Sequence, residues 1–475
     1  MVALILFGSF FLLLFLNIPI ALSLGMSSII TLLYEKLPLS MVPSNMYSST
    51  SKFVLLAIPF FIFGGNIMAE GGISERLINF CRSLVGHKRS GMALVCVIVS
   101  CFFAAISGSG PATVAALGMI IIPAMVQAGY DKASGTALMS TAGAIGIIIP
   151  PSITFVIYGS ITGTSVGSLF ASGIVPGILM GVLLVVAMMW VSRKRELQLL
   201  PKATWKERWE SFKDAFWGLM MPVIILGGIY GGIFTPTEAA AVSAIYGLFV
   251  GLFIYKTITF KDVPRILADS VSQTAVVMFI VGTASLFAWI LTVTGLAAQA
   301  SNVLISVSSG NKYIFLLIVN IILLIAGCFI DANSAMYIFI PIMLPVCKAL
   351  GYDVVAFGVM ATVNLAIGQV TPPVGVNLFV AISIKIKKGL EVTLQQISRA
   401  VMPMIAASVA VLLIVTYIPA TSTALPKALA KDGSYTGDQA SADTGSTSSK
   451  DAGDGSDSFN TIEDYSDLDW PEMTW

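Results

Sequence analysis

The sequence predicts an all-α membrane protein that crosses the bilayer many times and is built from two related halves. Hydrophobic residues make up 56% of its 475 residues and charged residues only 11%, and its mean hydropathy is +0.91. Such a composition excludes an ordinary soluble enzyme, a disordered protein and a nucleic-acid-binding protein, because none of these could keep so much apolar surface from water. Apolar segments of about 20 residues, each long enough for a transmembrane helix, recur between short polar loops.

Two segments that lie 222 residues apart resemble each other, which indicates an internal repeat. Segment 120–131 reads IIIPAMVQAGYD and segment 342–353 reads IMLPVCKALGYD. The same offset superposes further positions: Pro150-Pro151 on Pro372-Pro373, Gly146 on Gly368, and Ser109 on Asp331. A constant offset over more than 40 residues is strong evidence of duplication.

The first half, residues 1–192, begins with three apolar helices and a weakly amphipathic arm. The next apolar stretch, 91–128, is interrupted by the sequence SGSGP at 107–111. Gly and Pro would break a continuous helix there and expose backbone groups that lipid cannot satisfy. We therefore predict a re-entrant helical hairpin with its tip inside the protein. A helix broken at its Pro-Pro pair follows at 135–160, and a closing helix ends the half.

The second half, residues 217–420, repeats this series after a basic cytoplasmic linker at 193–216. Its hairpin is predicted at 313–350, with the tip at GCFIDANS (327–334), and its broken helix at 355–384. If each hairpin returns to its starting side, each half crosses the membrane five times. Because five is odd, the second half is inverted relative to the first. Inverted repeats with discontinuous helices near the bilayer midplane are typical of secondary transporters.

The charges of the loops predict the orientation of the chain. Of the 24 basic residues in 1–430, nineteen fall in the loops assigned to the cytoplasm and five elsewhere, in agreement with the positive-inside rule, and both termini then lie outside the cytoplasm. The net charge of +1 is the sum of +10 over residues 1–430 and −9 over residues 431–475. The segment 421–475 is therefore predicted to be an acidic disordered tail, either a passive terminus or a flexible arm that contacts a partner protein.

Each half is expected to bring a hairpin tip and a Pro-Pro break together, which predicts one cation site per half. A helix broken inside the membrane leaves C=O groups that can hold Na⁺ and N–H groups that can hold a carboxylate. The predicted Na⁺ positions of the first half are Ser107, Ser109, Gly110, Gly146, Ile149 and Pro151. Those of the second half are Gly327, Ile330, Asp331, Asn333, Gly368, Thr371 and Pro373. The alternative is that these Gly and Pro residues only permit close packing and kinks.

Asp331 is the only acidic residue predicted well inside the bilayer, where ionisable side chains are costly. It could contact a cation, carry a proton, accept substrate hydroxyls, or simply cap backbone N–H groups at the hairpin tip. No Arg or Lys falls in the predicted core, so an anionic substrate would depend on helix N-termini and on Ser, Thr or Asn groups. The predicted substrate contacts are Ser109, Thr113, Asp331, Asn333 and Asn377. The absence of a GxxxxGK[ST] motif argues against an ATP-driven pump.

Four segments resemble the large membrane subunit of tripartite ATP-independent periplasmic (TRAP) transporters. They are GGIFTPTEAAAVSAIYG (231–247), ISGSGPATVAALG (106–118), GIIIPPS (146–152) and NLAIGQVTPPVGVNLFVA (364–381). The strings FTPTEAA and TPPVGVNLF are the most specific, and the resemblance extends from about residue 2 to residue 420.

The resemblance implies Na⁺-driven uptake of an organic acid across the bacterial inner membrane by an elevator mechanism, with at least two Na⁺ sites on the tips and breaks named above. It also implies two partners, a periplasmic substrate-binding protein and a small four-helix membrane subunit, the latter expected on a separate polypeptide. C4-dicarboxylates and sialic acid are the implied substrates, and general likeness together with Asp331 favours sialic acid. Two alternatives stay open: a stand-alone divalent-anion/Na⁺ symporter that needs no binding protein, and a membrane enzyme or anchor.

Overall fold

A computed structural model of the chain describes residues 1–199, 201–384 and 391–429, and within these ranges the chain forms twenty-one α-helices and no β-strand. The first ten are α1 (Val2–Phe15), α2 (Ile20–Tyr34), α3 (Met41–Thr50), α4 (Ala57–Glu70), α5 (Ile73–Val85), α6 (Gly91–Ser107), α7 (Gly110–Gln127), α8 (Lys132–Ala144), α9 (Ile153–Thr162) and α10 (Val166–Val191). The remainder are α11 (Trp205–Tyr230), α12 (Pro236–Phe249), α13 (Val263–Val293), α14 (Leu296–Ser308), α15 (Lys312–Gly327), α16 (Ala332–Ala349), α17 (Val354–Gly368), α18 (Val376–Ser383), α19 (Leu394–Ala400), α20 (Met402–Tyr417) and α21 (Ala420–Leu429).

Many of these helices can span a bilayer. Within the described ranges, seven helical segments are long and apolar enough to cross a membrane, or eight if α19 and α20, which meet at 48°, count as one broken span. Exposed Leu, Ile, Val and Phe side chains are spread over the outer helices, as expected for surfaces that face lipid rather than water. The prediction of an all-α polytopic membrane protein is confirmed.

The helices pack in two groups, and each half of the chain contributes to both. The scaffold group consists of α1–α5 and α11–α14, in which α12 packs on α4, α11 on α5, and the long helix α13 on α2, α3 and α4. The hairpin group consists of α6–α10 and α15–α21, in which α7 packs on α8, α15 on α17, and α10 on α20. Helices α7 and α8 also pack on α18, so the two halves are joined within the hairpin group.

The FTPTEAA string has a local structural explanation at the start of α12. The Thr235 Oγ1 atom accepts a hydrogen bond from the Glu238 N–H at 3.3 Å, and the Glu238 carboxylate accepts one from the Thr235 N–H at 2.8 Å. Pro236 occupies the first turn of the helix. This capping box satisfies two backbone donors that the first turn would otherwise leave without partners, and the Pro costs no hydrogen bond there.

Two predicted boundaries differ from the structure. The linker predicted at 193–216 becomes helical at Trp205, because Thr204 and Glu207 form a capping box and the Phe212 ring packs on Phe80 at 5.7 Å. The tail predicted to be disordered from residue 421 begins instead with α21. That helix packs on α10 and buries Ser422, Thr423 and Pro426. Residues 430–475 lie outside the described residues, and the inverted relation of the two halves stays a prediction.

Candidate functional site

The tip of the first hairpin lies directly on the first Pro-Pro break. Gly108 has φ +60°, and a Cβ atom there would lie 2.8 Å from the carbonyl oxygen of Pro151. A Cβ atom on Gly146 would lie 2.7 Å from the Ser109 carbonyl oxygen and 2.9 Å from Thr113 Oγ1. Distances this short exclude any larger side chain without movement of the backbone. Glycine is therefore required on both sides of this contact.

Hydroxyl groups hold the first tip in its conformation. The Thr113 Oγ1 atom donates to the Ser109 carbonyl at 2.8 Å and lies 2.9 Å from Ser107 Oγ. Thr113 is fully buried, so its side chain stabilises the tip from the interior of the protein. Within the described part of the chain, no side chain caps the first turn of α7 at Gly110. The N-terminal end of this helix therefore carries no side-chain acceptor, and Ser109, Pro111 and Ala112 at this end line a cavity.

The first break itself is closed by Ser152. Its Oγ donates to the Ile147 carbonyl at 2.6 Å and accepts from the Phe155 N–H at 3.3 Å, so one hydroxyl joins the end of one helical segment to the start of the next. The side chain of Ile149, one of the predicted Na⁺ positions, packs against Gly177 of α10. The peptide bond between Pro150 and Pro151 is cis, as is the one between Pro372 and Pro373.

The second hairpin tip packs on the second break through two glycines. A Cβ atom on Gly368 would lie 2.6 Å from the Cα atom of Gly327, so the two backbones are in direct contact. The loop of the break is closed by the Asn377 N–H, which donates to the Gln369 carbonyl at 3.0 Å. Thr371 donates its hydroxyl to the Ile367 carbonyl at 2.7 Å. Of the other predicted Na⁺ positions in this half, Ile330 is buried and Pro373 is exposed.

Asp331 caps α16, and this distinguishes the second tip from the first. Its Oδ2 atom accepts hydrogen bonds from the N–H groups of Asn333 at 3.0 Å and of Ser334 at 3.1 Å. Among the possibilities that the sequence left open, capping is the one that these contacts support directly. The N-terminus of α16 already has a negative group bound to it, whereas that of α7 has none within the described ranges.

The two tips also contact the breaks of the opposite halves. Asn333 of the second tip accepts a hydrogen bond from the Thr154 hydroxyl of the first half at 3.3 Å. At the first tip, a Cβ atom on Gly110 would lie 2.4 Å from Gln369 Oε1 and 3.3 Å from Asn377 Oδ1 of the second half. The two predicted cation sites are therefore adjacent parts of one polar region.

A cavity of about 810 Å³ separates this polar region from the scaffold group. The hairpin group lines it with Ser107, Ser109, Thr154, Asp331, Asn333 and Gln369. The scaffold group lines it with Asn66 and Glu70 of α4 and with Asp269, Ser272 and Gln273 of α13. Between these polar groups the walls are mostly Ala, Ile and Phe side chains, which is the usual composition of a small-molecule site.

Acidic groups surround the part of the cavity where α4 ends and α13 begins. Arg265 bonds the Glu70 carboxylate, with its second nitrogen 3.0 Å from Oε1, and lies 3.8 Å from Asp269. The Thr259 hydroxyl and N–H bond the Asp262 carboxyl and hold its pKa below the usual value. Glu70 and Asp269 therefore line this edge of the cavity and share one guanidinium.

The structure divides the predicted substrate residues into two sets. Ser109, Asp331 and Asn333 line the cavity, whereas Thr113 and Asn377 are fully buried behind its wall. Gln369, which is not among the residues predicted from the sequence, also lines the cavity. Its Oε1 atom and the Asn377 Oδ1 atom are buried and have no hydrogen-bond partner among the described residues. Its place three residues before the Pro-Pro pair is the sequence signal that could have identified this position.

The polar region and its cavity lie in a chain whose relatives are transport proteins. The family described as "Tripartite ATP-independent periplasmic transporter, DctM component" matches residues 7–421. The chain belongs to this family. The match includes both hairpins and both Pro-Pro breaks, so the large-subunit resemblance drawn from sequence motifs is confirmed. Together with its apolar helices, the family makes the chain a multi-pass transporter subunit of the inner membrane.

Several relatives resemble the chain over most of its length. The C4-dicarboxylate TRAP transporter large permease protein DctM of Rhodobacter capsulatus is 41% identical, over 90% of this chain and 100% of its own. The isethionate TRAP transporter permease protein DctMQ of Oleidesulfovibrio alaskensis is 43% identical, over 88% of this chain and 65% of its own. The sialic acid TRAP transporter large permease protein SiaM of Vibrio cholerae is 37% identical, over 87% of this chain and 96% of its own.

A solved structure shares the fold. The YdaH transporter of Alcanivorax borkumensis, whose crystal structure has been described as having an unusual topology, superposes with a TM-score of 0.56. The match covers 79% of this chain and 87% of that one at 14% sequence identity. Identity this low supports a common architecture only.

Proposed function

We propose that this chain is the membrane permease of a Na⁺-coupled uptake system for a small organic acid. The observation that carries the proposal is the uncapped N-terminus of α7, which lies at a tip-and-break contact and faces the cavity through Ser109. A helix end in this state offers free N–H groups and a partial positive charge to an anion. Family membership supports transport of an organic acid in general.

The substrate carboxylate is proposed to bind at the first turn of α7. Among the described residues that line the cavity, none is Lys or Arg, so backbone dipoles and neutral polar groups have to balance the charge of the substrate. Ser109 and Asn333 provide donors beside this turn, and Asp331 provides acceptors for substrate hydroxyls. Binding without a formal positive charge also makes release easier, because no strong ion pair has to be broken.

The Na⁺ ions are proposed to bind at the two tip-and-break contacts, at the positions predicted from the sequence. Within the described ranges, no cluster of three or more His, Cys, Asp or Glu side chains could hold a metal ion. A site for Na⁺ would therefore use backbone carbonyl and hydroxyl oxygens, which discontinuous membrane helices offer at their ends. Because Thr154 and Asn333 join the two contacts, occupancy of one site would stabilise the other.

Our proposal for the identity of the transported acid rests on the relatives of the chain. The sequence favoured sialic acid, whereas the chain is 41% identical to a C4-dicarboxylate permease and 37% identical to a sialic acid permease. Both substrates carry the carboxylate that the α7 terminus is proposed to bind. We propose that the periplasmic binding protein makes the first selection between them, and that the cavity then accepts what it delivers.

The mechanism is proposed to be an elevator movement of the hairpin group against the scaffold group. The cavity lies between the two groups, so their relative displacement would carry its contents from one side to the other. With the loops of α4 and α13 in the cytoplasm and both termini in the periplasm, as the charges predict, this structure faces inward. A small membrane subunit on a separate chain is proposed to complete the scaffold; DctMQ is one relative that is longer than this chain.

Reconstitution in liposomes tests the proposal. The chain, the small subunit and the binding protein would be combined, and uptake of radiolabelled C4-dicarboxylate and sialic acid would be measured with and without an inward Na⁺ gradient. We expect accumulation only with the gradient and only with the binding protein. Uptake by the membrane subunits alone would favour the stand-alone symporter instead. No accumulation of any organic acid in the full assembly would contradict transport and return attention to an enzyme or anchor.

The Na⁺ positions are tested by the double variant Ser109→Ala/Pro151→Ala. We expect weaker and less cooperative dependence of uptake on Na⁺, because both changes alter the first tip-and-break contact. Gly227→Ala is the matched control, since a Cβ atom on Gly227 in α11 would meet nothing within 4 Å. Unchanged Na⁺ cooperativity in the double variant would rule out the first site.

A further inference from the structure

A second cavity, of about 440 Å³, lies at the far end of the hairpin group from the polar region. It is formed where α10 ends and α20 begins, and its charged lining consists of Arg193, Lys194 and Arg399. Its uncharged lining includes Trp190 and Pro403. The two cavities share no lining residue.

The three cations of this cavity are not neutralised by the protein. Within the part of the chain that the structure describes, no carboxylate lies within 4 Å of the side-chain nitrogens of Arg193, Lys194 or Arg399. The neighbouring Arg195 provides a contrast, because it lies 3.5 Å from the carboxylate of Asp131. Like charges that line one cavity repel one another. A multiply oxygenated anion such as a phosphate would remove this repulsion and bind all three.

The position of the cavity is that of the membrane surface. Trp190 is 60% exposed in the last turn of the apolar helix α10, and the Arg193 guanidinium lies 5.1 Å from the centre of its ring. Next to the lining residue Pro403, Met402 is 56% exposed at the start of the apolar helix α20. Trp residues and basic residues at the ends of apolar helices are typical of the headgroup level of a bilayer. The cations therefore lie where lipid phosphates lie.

An apolar surface continues from the cavity along α10. Val182, Val186 and Met189 are each about half exposed on the turns that precede Trp190. Acyl chains can lie against such a surface, whereas a soluble phosphate would use only the charged end. The cavity and the adjoining helix face together match the two parts of a phospholipid.

We propose that this cavity binds the headgroup phosphate of an anionic phospholipid. The phosphate would lie among Arg193, Lys194 and Arg399, and the acyl chains along the exposed face of α10. Because α10 and α20 are the closing helices of the two halves and pack on each other, the lipid would bridge both halves at one edge of the hairpin group. The site does not depend on the identity of the transported acid.

Native mass spectrometry on the purified full chain tests the proposal. The probe is phosphatidylglycerol titrated against phosphatidylcholine, and the variant is Arg193→Gln/Lys194→Gln/Arg399→Gln. Each basic group near an anionic surface contributes about fivefold to binding, so we expect a loss of phosphatidylglycerol affinity of the order of 100-fold. The control, Lys202→Gln/Lys206→Gln/Lys213→Gln, removes three exposed cations from the neighbouring segment and should lose far less.

Three outcomes would overturn the proposal. Equal losses in the two triple variants would show that phosphatidylglycerol responds only to total charge. Displacement of the lipid by millimolar inorganic phosphate would show that the site recognises free phosphate instead. If the triple variant does not fold, Arg399→Gln alone is measured in the same way, and a loss of less than about twofold, against the fivefold expected, would equally contradict the site.

Discussion

A hydrogen bond with a charged donor links the two helix groups on the side where α4 begins, in addition to the neutral bond from the Tyr230 hydroxyl of α11 to the Gly167 carbonyl of α10. The Lys52 ammonium, in the connection between α3 and α4 of the scaffold group, donates to the Ser160 carbonyl of α9 at 2.6 Å. Ser160 lies in the last turn of α9, where the helix dipole is negative. If the hairpin group moves as proposed, this bond exists in the present state and has to break during transport. We therefore expect Lys52→Met to shift the population away from this state.

The size of the shift follows from the bond. A hydrogen bond with a charged group contributes about 1.5–3 kcal/mol, and the low end applies because Lys52 is exposed to solvent. About 1.4 kcal/mol corresponds to a tenfold change in the ratio of the two states. Lys52→Arg keeps a cationic donor and should stay close to the wild type, and Lys36→Met removes an exposed cation of the scaffold group that has no described bond to α9.

Pulsed electron paramagnetic resonance measures the two populations. Spin labels at Tyr47 of α3 and Gln127 of α7, both exposed, would report the distance between the groups after replacement of the native cysteines. We expect the second distance peak to grow about tenfold relative to the first in Lys52→Met. An identical distance distribution in Lys52→Met and the wild type would refute the reasoning, as would an equal shift in Lys36→Met.

Three further predictions concern the polar region. Gly146→Ala should weaken Na⁺ affinity in uptake assays, because its Cβ would lie 2.7 Å from the Ser109 carbonyl oxygen, and an unchanged Na⁺ half-saturation would contradict the contact. Asp331→Ala should lower the free energy of unfolding by about 1–2 kcal/mol, because it removes both acceptor atoms of the cap. Asp331→Asn keeps one acceptor and should retain most of that stability. Equal losses in the two variants would mean that the charge of Asp331, and not its capping, stabilises the protein. Gln369→Ala should raise the KM of uptake about tenfold without lowering the melting temperature, because its buried Oε1 has no partner to lose. A lower melting temperature with unchanged KM would make Gln369 a structural amide.

The regular features of the fold could be predicted from the sequence because they depend on local patterns. The hairpin expected at 91–128 corresponds to α6 and α7, Gly91–Gln127, and the one at 313–350 to α15 and α16, Lys312–Ala349. Apolar length and the positions of Gly and Pro determine these limits. Helix α3 was not expected, because its hydroxyl-rich sequence has low helix propensity and is held by packing on α13.

The contacts between the halves could not be predicted in the same way. The Thr154–Asn333 bond joins residues 179 apart in the chain, and the approach of Gly110 to Gln369 depends on how two hairpins interleave. Neither residue pair carries a local signal that identifies its partner. The sequence therefore indicated which residues gather near the breaks, whereas only the fold shows that Gln369 faces the cavity while Thr113 faces away from it.

The unequal capping of the two hairpins has a consequence for the proposed transport cycle, namely for the number of substrate molecules carried in each turnover. Two hairpins with the same N-terminal structure would offer two binding positions for a carboxylate, and a duplicated transporter could then move two anions at a time. The Asp331 carboxylate already occupies the N-terminus of α16, which leaves only the N-terminus of α7. If the substrate carboxylate binds at α7 as proposed, the expected stoichiometry is one organic anion per turnover, because the protein's own Asp331 side chain fills the corresponding position at α16.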